Sequence, residues 1–359
     1  MKKQVTQTEN INAFDKLLWK AIRYHIPYIV TFELTYSCNQ KCVHCYLTHD
    51  DPYQKEMPVE EWLRAIGELK ELGTFYVSVT GGEPTLYPGF WEIIEELHRQ
   101  NMLIRVFTNA TTFTKDDIDH LIRCGVQYVD ISIHGSDRDT HEEITGVPGS
   151  YDRTVNAIKQ LKAAGIHVML KGSLLKSNYK KVNNLNRLML SLGGYPHISH
   201  NITPDNNGGQ QPLEYAISEV EFCYVFDNFY KTDYDLPDVE EDHIPLAIRC
   251  TAGFSTMTIT PNGTVIPCVQ FRAPLGNIQR NSLRRIWHHS PLCQYLSGLT
   301  RLSPSECTGC KFITFCIRCP GLSFIETGSL WKPSPNACRA AEHYFNAYYR
   351  SRGKRSASA

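Results

Sequence analysis

From about residue 28 to about residue 235 the chain alternates between two hydrophobic rhythms. Short runs of crowded or alternating apolar side chains have the period of a strand, and each is followed by apolar positions three and four apart, the period of a helix. Ile29-Val-Thr-Phe-Glu-Leu-Thr35 reads as a first strand, and residues 59–72 as a helix that stops at Gly73. The pattern then predicts strands over 75–79, 103–108, 128–133, 167–171 and 198–203. It predicts helices over 90–100, 115–124, 152–164, 180–192 and 218–230.

Repeated strand–helix–strand units with right-handed crossovers build a parallel sheet covered by helices. The expected fold class is therefore α/β, with six such units, too few to close an eight-stranded barrel. After about residue 235 the alternation ends, and short segments rich in Pro, Gly and Cys take over. That part has too little periodic apolar sequence for a large core of its own, so a metal-stapled domain is expected. The expected organisation is an N-terminal extension over 1–27, a barrel-like domain over 28–235, a cysteine-rich domain over 236–346 and a disordered basic tail over 347–359.

Composition narrows the class. A chain of 359 residues with 42% hydrophobic and 21% charged residues is long enough for two globular domains. Lys plus Arg and Asp plus Glu are 37 each, so net charge points to neither nucleic acid nor membrane as a partner. Residues 1–12 are polar and lack the apolar segment of a signal peptide, and no run approaches the about 18 apolar residues of a membrane span. A cytoplasmic location is expected. There, 13 cysteines point to metal rather than disulfides.

Chemistry concentrates at the ends of the predicted strands, the rim where barrels of this type keep their sites. Cys38, Cys42 and Cys45 follow the first strand as C-x-x-x-C-x-x-C. Gly81-Gly82-Glu83-Pro84 follows the second, Thr108-Asn109 the third, Ser132 closes the fourth, and Lys171 to Ser173 close the fifth. Three thiolates on one loop suit an iron–sulfur cluster, with one iron of a cubane left open to a small molecule. The alternative is a structural or zinc site, which wants a fourth Cys or His in register.

The triad, together with Gly-Gly-Glu-Pro, resembles the signature of radical S-adenosylmethionine (SAM) enzymes. The resemblance implies a partial (β/α)6 barrel similar to a TIM barrel. It also implies a 4Fe-4S cluster held by Cys38, Cys42 and Cys45, whose open iron chelates SAM, and one-electron cleavage of SAM to a 5'-deoxyadenosyl radical that abstracts hydrogen from a substrate. Gly81, Gly82 and Glu83 would contact the SAM amino group, and Asn109 and Ser132 its ribose or carboxylate. Two positions depart from the family pattern: Ala110 stands for the Gly of T-N-G, and His134 for an Asp after strand four. Lys171 and Ser173 are weaker candidates for the same site. His44, where the family favours an aromatic residue, reads as packing.

The C-terminal pattern is Cys250, Gly263-Thr-Val-Ile-Pro-Cys268, Cys307-x-x-Cys310, Cys316, Cys319 and Cys338. Two C-x-x-C pairs could mimic a zinc ribbon, but zinc ribbons space their pairs more widely. The pattern resembles the SPASM domain, the twin-cluster extension of many radical SAM enzymes. By that resemblance Cys307, Cys310, Cys316 and Cys338 hold one auxiliary cluster, and Cys250, Cys268 and Cys319 share another whose fourth ligand is open. Cys124, Cys223 and Cys293 read as buried structural thiols.

SPASM enzymes act mostly on peptides, so the resemblance implies an oxidoreductase or peptide maturase that modifies a ribosomal peptide or protein. Its electrons would come from a flavodoxin- or ferredoxin-type donor. Fewer than thirty residues precede the first strand, so a separate leader-recognition protein or a leader-independent substrate is expected. The alternatives are tailoring of a porphyrin-type small molecule or cofactor precursor and, in a different class, a non-catalytic iron–sulfur or zinc protein. The loop Thr203 to Gly209, together with Arg272, Arg318 and Glu326, could shape the substrate mouth.

Overall fold

The structure, a computed structural model, describes residues 13–48, 51–231, 250–297 and 305–352. The expected boundary at 235/236 and most of the basic tail lie outside these residues.

Helix α1 (Ala13–Arg23) precedes strand β1 (Ile29–Glu33). The alternating units follow as α2 (Val59–Leu72), β2 (Tyr76–Thr80), α3 (Phe90–Arg99), β3 (Leu103–Thr108), α4 (Lys115–Arg123) and β4 (Tyr128–Ser132). After them come α5 (Arg138–Thr145), α6 (Ser150–Ala163), β5 (His167–Ser173), α7 (Val182–Ser191), β6 (Tyr195–Ser199) and α8 (Glu219–Val225). Strands β1 to β6 pair in parallel with their sequence neighbours, an open barrel wall rather than a closed ring. Helix α2 shows why these segments fold as they do. Trp62, Ala65, Ile66, Leu69 and Leu72 form one buried stripe, and Gly73 ends the helix in the left-handed conformation.

Along the wall the two faces differ in chemistry. Val30, Phe32, Val77, Val79, Ile104, Val106, Val129, Ile131, Val168 and Leu170 point one way, into the main core beneath the helices. The alternate positions, among them Arg105, Asp130 and Lys171, turn to the concave side.

The structure corrects the sequence reading in four places. Strand six is Tyr195–Ser199, not 198–203, because its register is set by β5, from Met169 opposite Tyr195 to Ser173 opposite Ser199. As an edge strand it tolerates Pro196. Helix α5 was not expected: its sequence RDTHEEIT carries too few apolar residues to show a period, and it is held instead by its Asp137 and Gly146 caps.

The sheet does not end with the barrel. Strand β7 (Thr256–Ile259) pairs in parallel with β1, and β8 (Thr264–Ile266) and β9 (Gly276–Asn277) continue it antiparallel. Val265, Leu275 and Trp287 therefore share the barrel's core cluster. Helices α9 (Leu283–His289), α10 (Pro291–Ser297), α11 (Pro320–Thr327) and α12 (Pro335–Ser351) complete the C-terminal part. Residues 347–351, expected in a disordered tail, are the last turns of α12, where Ala347 and Tyr348 are buried. No helix among the described residues is long and apolar enough to cross a membrane.

Candidate active site

The loop carrying Cys38, Cys42 and Cys45 leaves the C-terminal end of β1 and is held on two sides. On one side the last carbonyls of α5, which a helix leaves unpaired, accept its backbone N–H groups: Lys41 N donates to Thr145 O at 2.9 Å and Val43 N to Ile144 O at 3.0 Å. On the other side Gly82 N donates to Thr35 O at 2.7 Å and Glu83 N to Ser37 O at 2.9 Å. Gly81 has a φ of +142°, and a β-carbon there would overlap the Thr35 carbonyl oxygen. The paired glycines thus let the two loops touch backbone to backbone.

All three thiols are free. Burial, then the charges of Cys45 and Cys38, push Cys42 up to about 12. Burial raises Cys38 and Cys45 as well. Three cysteine sulfurs on one loop are a donor set that suits an iron–sulfur cluster. Among the described residues no three such side chains close tightly enough to chelate a single metal ion.

Glu83 is fully buried and its carboxylate is already engaged. Oε1 accepts from Thr108 Oγ1 at 2.7 Å and Thr85 Oγ1 at 2.8 Å, and Oε2 from Asn109 N at 2.8 Å. Burial pushes this carboxyl up, against the pull of those hydrogen bonds. Glu83 therefore ties β2 to the end of β3 and sets the position of Asn109. The Asn109 side chain lies against the cysteine loop, with Nδ2 donating to Asn39 Oδ1 at 2.7 Å. Ala110 keeps a left-handed φ of 58°, the conformation that a Gly would hold without strain.

Ser132 closes β4 in register with Lys171 of β5. Lys171 Nζ sits 3.3 Å from Asp130 Oδ2, which Arg105 also grips with a two-pronged contact, Nε to Oδ1 at 2.6 Å and Nη2 to Oδ2 at 2.7 Å. Arg105 and Asp130 were missed in the sequence, although charges at alternate positions of apolar strands were a readable signal. Ser173 N donates to His134 Nδ1 at 3.3 Å. His44 packs edge-on against His134 with ring centroids 4.7 Å apart, as expected of a packing residue.

The loop Thr203 to Gly209 serves as a buttress. Asn206 N donates to Tyr46 O at 2.8 Å, and Asn207 Nδ2 to Thr48 Oγ1 at 3.0 Å. Glu326 caps α12, accepting from Ser334 Oγ and from Asn336 N. Arg272 is buried among Glu33, Tyr36 and Asp51.

The C-terminal cysteines raise one another in two sets, although one cavity also sets Cys319 beside the first. Behind burial as the main cause, Cys338 is raised to about 11 by Cys316, Cys307 and Cys310, and Cys268 to about 12 by Cys319 and Cys250. Cys307, Cys316, Cys319 and Cys338 line one cavity together with Arg318. Arg318 has a φ of 42° and its N–H points at Cys316 Sγ, 3.4 Å away. Cys124, Cys223 and Cys293 are buried elsewhere.

A family model described as the Radical SAM superfamily matches residues 32–181, and one described as an iron–sulfur cluster-binding domain, SPASM, matches residues 250–311. The chain is similar to the AdoMet-dependent heme synthase of Methanosarcina barkeri, 23% identical over 86% of this chain and 95% of that protein. It is also similar to the sporulation killing factor maturation protein SkfB of Bacillus subtilis, 26% identical over 75% of this chain and 67% of that protein. Among solved structures, Streptococcus suis SuiB bound to S-adenosylmethionine aligns with a TM-score of 0.69 and 20% identity, over 90% of this chain and 80% of SuiB. SuiB bound to its precursor peptide SuiA aligns with a TM-score of 0.65 and 18% identity, over 94% and 84%. At these identities the likeness shows the fold.

Proposed function

Because the chain belongs to the radical SAM superfamily and carries a SPASM domain, we infer that it is a SAM-dependent enzyme that modifies a peptide or protein by hydrogen abstraction. The observation that carries this reading is the junction of the Cys38–Cys45 loop with the Gly81-Gly82 turn at the C-terminal end of β1 and β2. Cys38, Cys42 and Cys45 would hold a 4Fe-4S cluster. When bound, that cluster with SAM supplies one-electron cleavage to a 5'-deoxyadenosyl radical.

The chain's own residues do the rest. Gly81, Gly82 and Glu83 would meet the SAM amino group, with the Glu83 carboxylate held in place by Thr85, Thr108 and Asn109. Asn109 and Ser132, at the ends of β3 and β4, would contact the SAM ribose or carboxylate. Arg105, Asp130 and Lys171 line the concave wall below, a polar surface against which a substrate would lie. Cys307, Cys310, Cys316 and Cys338 would hold one auxiliary cluster, and Cys250, Cys268 and Cys319 another. A flavodoxin- or ferredoxin-type donor would supply electrons in the cytoplasm.

The peptide reading draws on SkfB, named a maturation protein, and on SuiB, solved with a precursor peptide. A second reading, tailoring of a tetrapyrrole-type small molecule, is favoured by the match to 95% of a heme synthase. The test is anaerobic reconstitution, reduction with dithionite and detection of 5'-deoxyadenosine, with Cys42→Ala as control. No nucleoside above that control would end the radical reading. A mass change on a co-expressed short peptide, against none on a porphyrin precursor, would separate the two substrates.

A further inference from the structure

Arg272 comes from the C-terminal domain, four residues after Cys268, yet its side chain is built into the base of the cysteine loop. It is only 7% exposed. Nη2 donates to Asp51 Oδ2 at 2.9 Å and to the Tyr36 hydroxyl at 2.7 Å, and Nη1 reaches Glu33 Oε2 at 3.4 Å. Tyr36 in turn donates its hydroxyl hydrogen to Glu33 Oε2 at 2.6 Å. The guanidinium lies over the rings of Tyr36 and Tyr53, and the Tyr53 hydroxyl donates back to Arg272 O at 3.2 Å.

The partners bracket the triad. Glu33 is the last residue of β1, and Tyr36 stands two residues before Cys38. Tyr46, next to Cys45, is tied to Asp51 through Asn206, whose N–H donates to Tyr46 O and whose side-chain amide donates to Asp51 Oδ2 at 3.2 Å. Glu33 and Asp51 are both fully buried, so two carboxylates share one guanidinium out of reach of solvent, and Glu33 Oε1 has no partner. A buried pair broken on one side leaves an uncompensated charge. Here that charge would lie at the base of the cysteine loop.

We propose that Arg272 is a positioning residue for the radical chemistry: it clamps the Cys38–Cys45 loop from the C-terminal domain and balances the negative charge beneath it. The SAM-binding cluster thereby depends, electronically and sterically, on a residue of the auxiliary domain. This rests on the reading of Cys38, Cys42 and Cys45 as cluster ligands. A cationic neighbour favours the reduced, more negative cluster, and an anionic one opposes it.

The test uses the full chain, reconstituted anaerobically, in wild-type, Arg272→Gln, Arg272→Lys and Asp51→Asn forms. The midpoint potential and the SAM-induced change in the electron paramagnetic resonance signal are read alongside 5'-deoxyadenosine yield. Arg272→Gln is expected to lower the potential and to cut the nucleoside yield at least tenfold, and Asp51→Asn to move the potential the opposite way. Arg272→Lys, which keeps the charge but not the fork, should hold the wild-type potential and lose part of the yield. If Arg272→Gln fails to fold, Asp51→Asn decides, since it keeps the size and polarity of its side chain. Wild-type potentials in both Arg272→Gln and Asp51→Asn would overturn the proposal. A wild-type protein with iron but no SAM-dependent signal would instead overturn the reading beneath it, and this inference with it.

Discussion

Asn109 Nδ2 lies 4.0 Å from Cys38 Sγ, and the Gln40 side-chain amide meets the triad as well, its Oε1 3.6 Å from Cys42 Sγ. Asn109 Nδ2 also donates to Asn39 Oδ1, and Oδ1 of Asn109 accepts from Thr111, so the Asn109 amide cannot turn away. An N–H aimed at a cluster sulfur stabilises the reduced form. Asn109→Ala should therefore lower the midpoint potential of the SAM-binding cluster without removing its iron. A redox titration followed by electron paramagnetic resonance checks this, and an unchanged potential would leave Asn109 as a turn brace only.

A β-carbon on Gly82 would overlap the carbonyl oxygen of Ser37, and backbone atoms cannot swing aside as a side-chain end can. Overpacking of this kind costs about 1–3 kcal/mol. Gly82→Ala should lower the melting temperature and also reduce iron uptake, because the Glu83 N–H bond to Ser37 O shapes the cysteine loop. A variant that melts lower yet takes up full iron would show that the loop closes without this contact.

The C-terminal cysteines should lose iron in two independent portions. With three four-iron clusters the wild-type chain would hold about twelve irons. Cys338→Ala and Cys268→Ala should each leave about eight, and the double variant about four. The grouping follows the cysteines that raise one another, with Cys338 raised by Cys316, Cys307 and Cys310 and Cys268 by Cys319 and Cys250. Iron and labile sulfide assays after reconstitution give the numbers. Loss of all auxiliary iron from either single variant would mean one joint site.

These sites were readable because cysteine spacing is local. Three thiols within eight residues, and a C-x-x-C with its partners, declare a metal site with no knowledge of the fold. The rim placement followed from strand period alone. Helix α5 was not readable, since eight mostly polar residues held by two caps carry no apolar stripe, yet it supplies two of the bonds that hold the cysteine loop. The place of Arg272 was equally hidden: it pairs with Asp51 across 221 positions, and only the return of β7 to β1 brings them together.

Buried histidines give the fold an acid limit, His200 and His141 among them. Burial pulls His200 down to about 3, with help from His343, and pulls His141 down to about 4. In the unfolded chain both bind a proton near the ordinary value of 6.5. Their folded values are depressed, so the stability they allow is present above pH 6.5 and is lost as pH falls from there toward 4. Each contributes at most about 1.4 kcal/mol per pH unit in that window. His200→Phe keeps a ring among Phe222, Tyr230 and Tyr344 but removes one proton from the balance. Melting curves from pH 7 to 4.5 should be flatter for that variant, and an unchanged slope would place the acid sensitivity elsewhere.

The barrel should not survive without its C-terminal partner. β1 is covered on its second edge by β7, from Ile29 opposite Thr256 to Phe32 opposite Ile259. Trp287 Nε1 donates to His25 O at 2.7 Å, and Met57 N to Pro261 O at 2.8 Å, so both ends of the first unit are also pinned. Val265, Leu275 and Trp287 lie in the barrel's own core, and each fully buried side chain of this kind is worth about 1.5–3 kcal/mol. Three of them approach the whole stability of a domain, about 5–15 kcal/mol. A chain ending at residue 231 would also expose the β1 edge, a row of unpaired backbone groups beside the cysteine loop. Such a truncation is expected to be insoluble or to self-associate, and to take up no iron. Size-exclusion chromatography with an iron assay decides it. A monomeric fragment with about four irons that still cleaves SAM would show two separable domains, and the clamp proposed for Arg272 would then have no role in the chemistry.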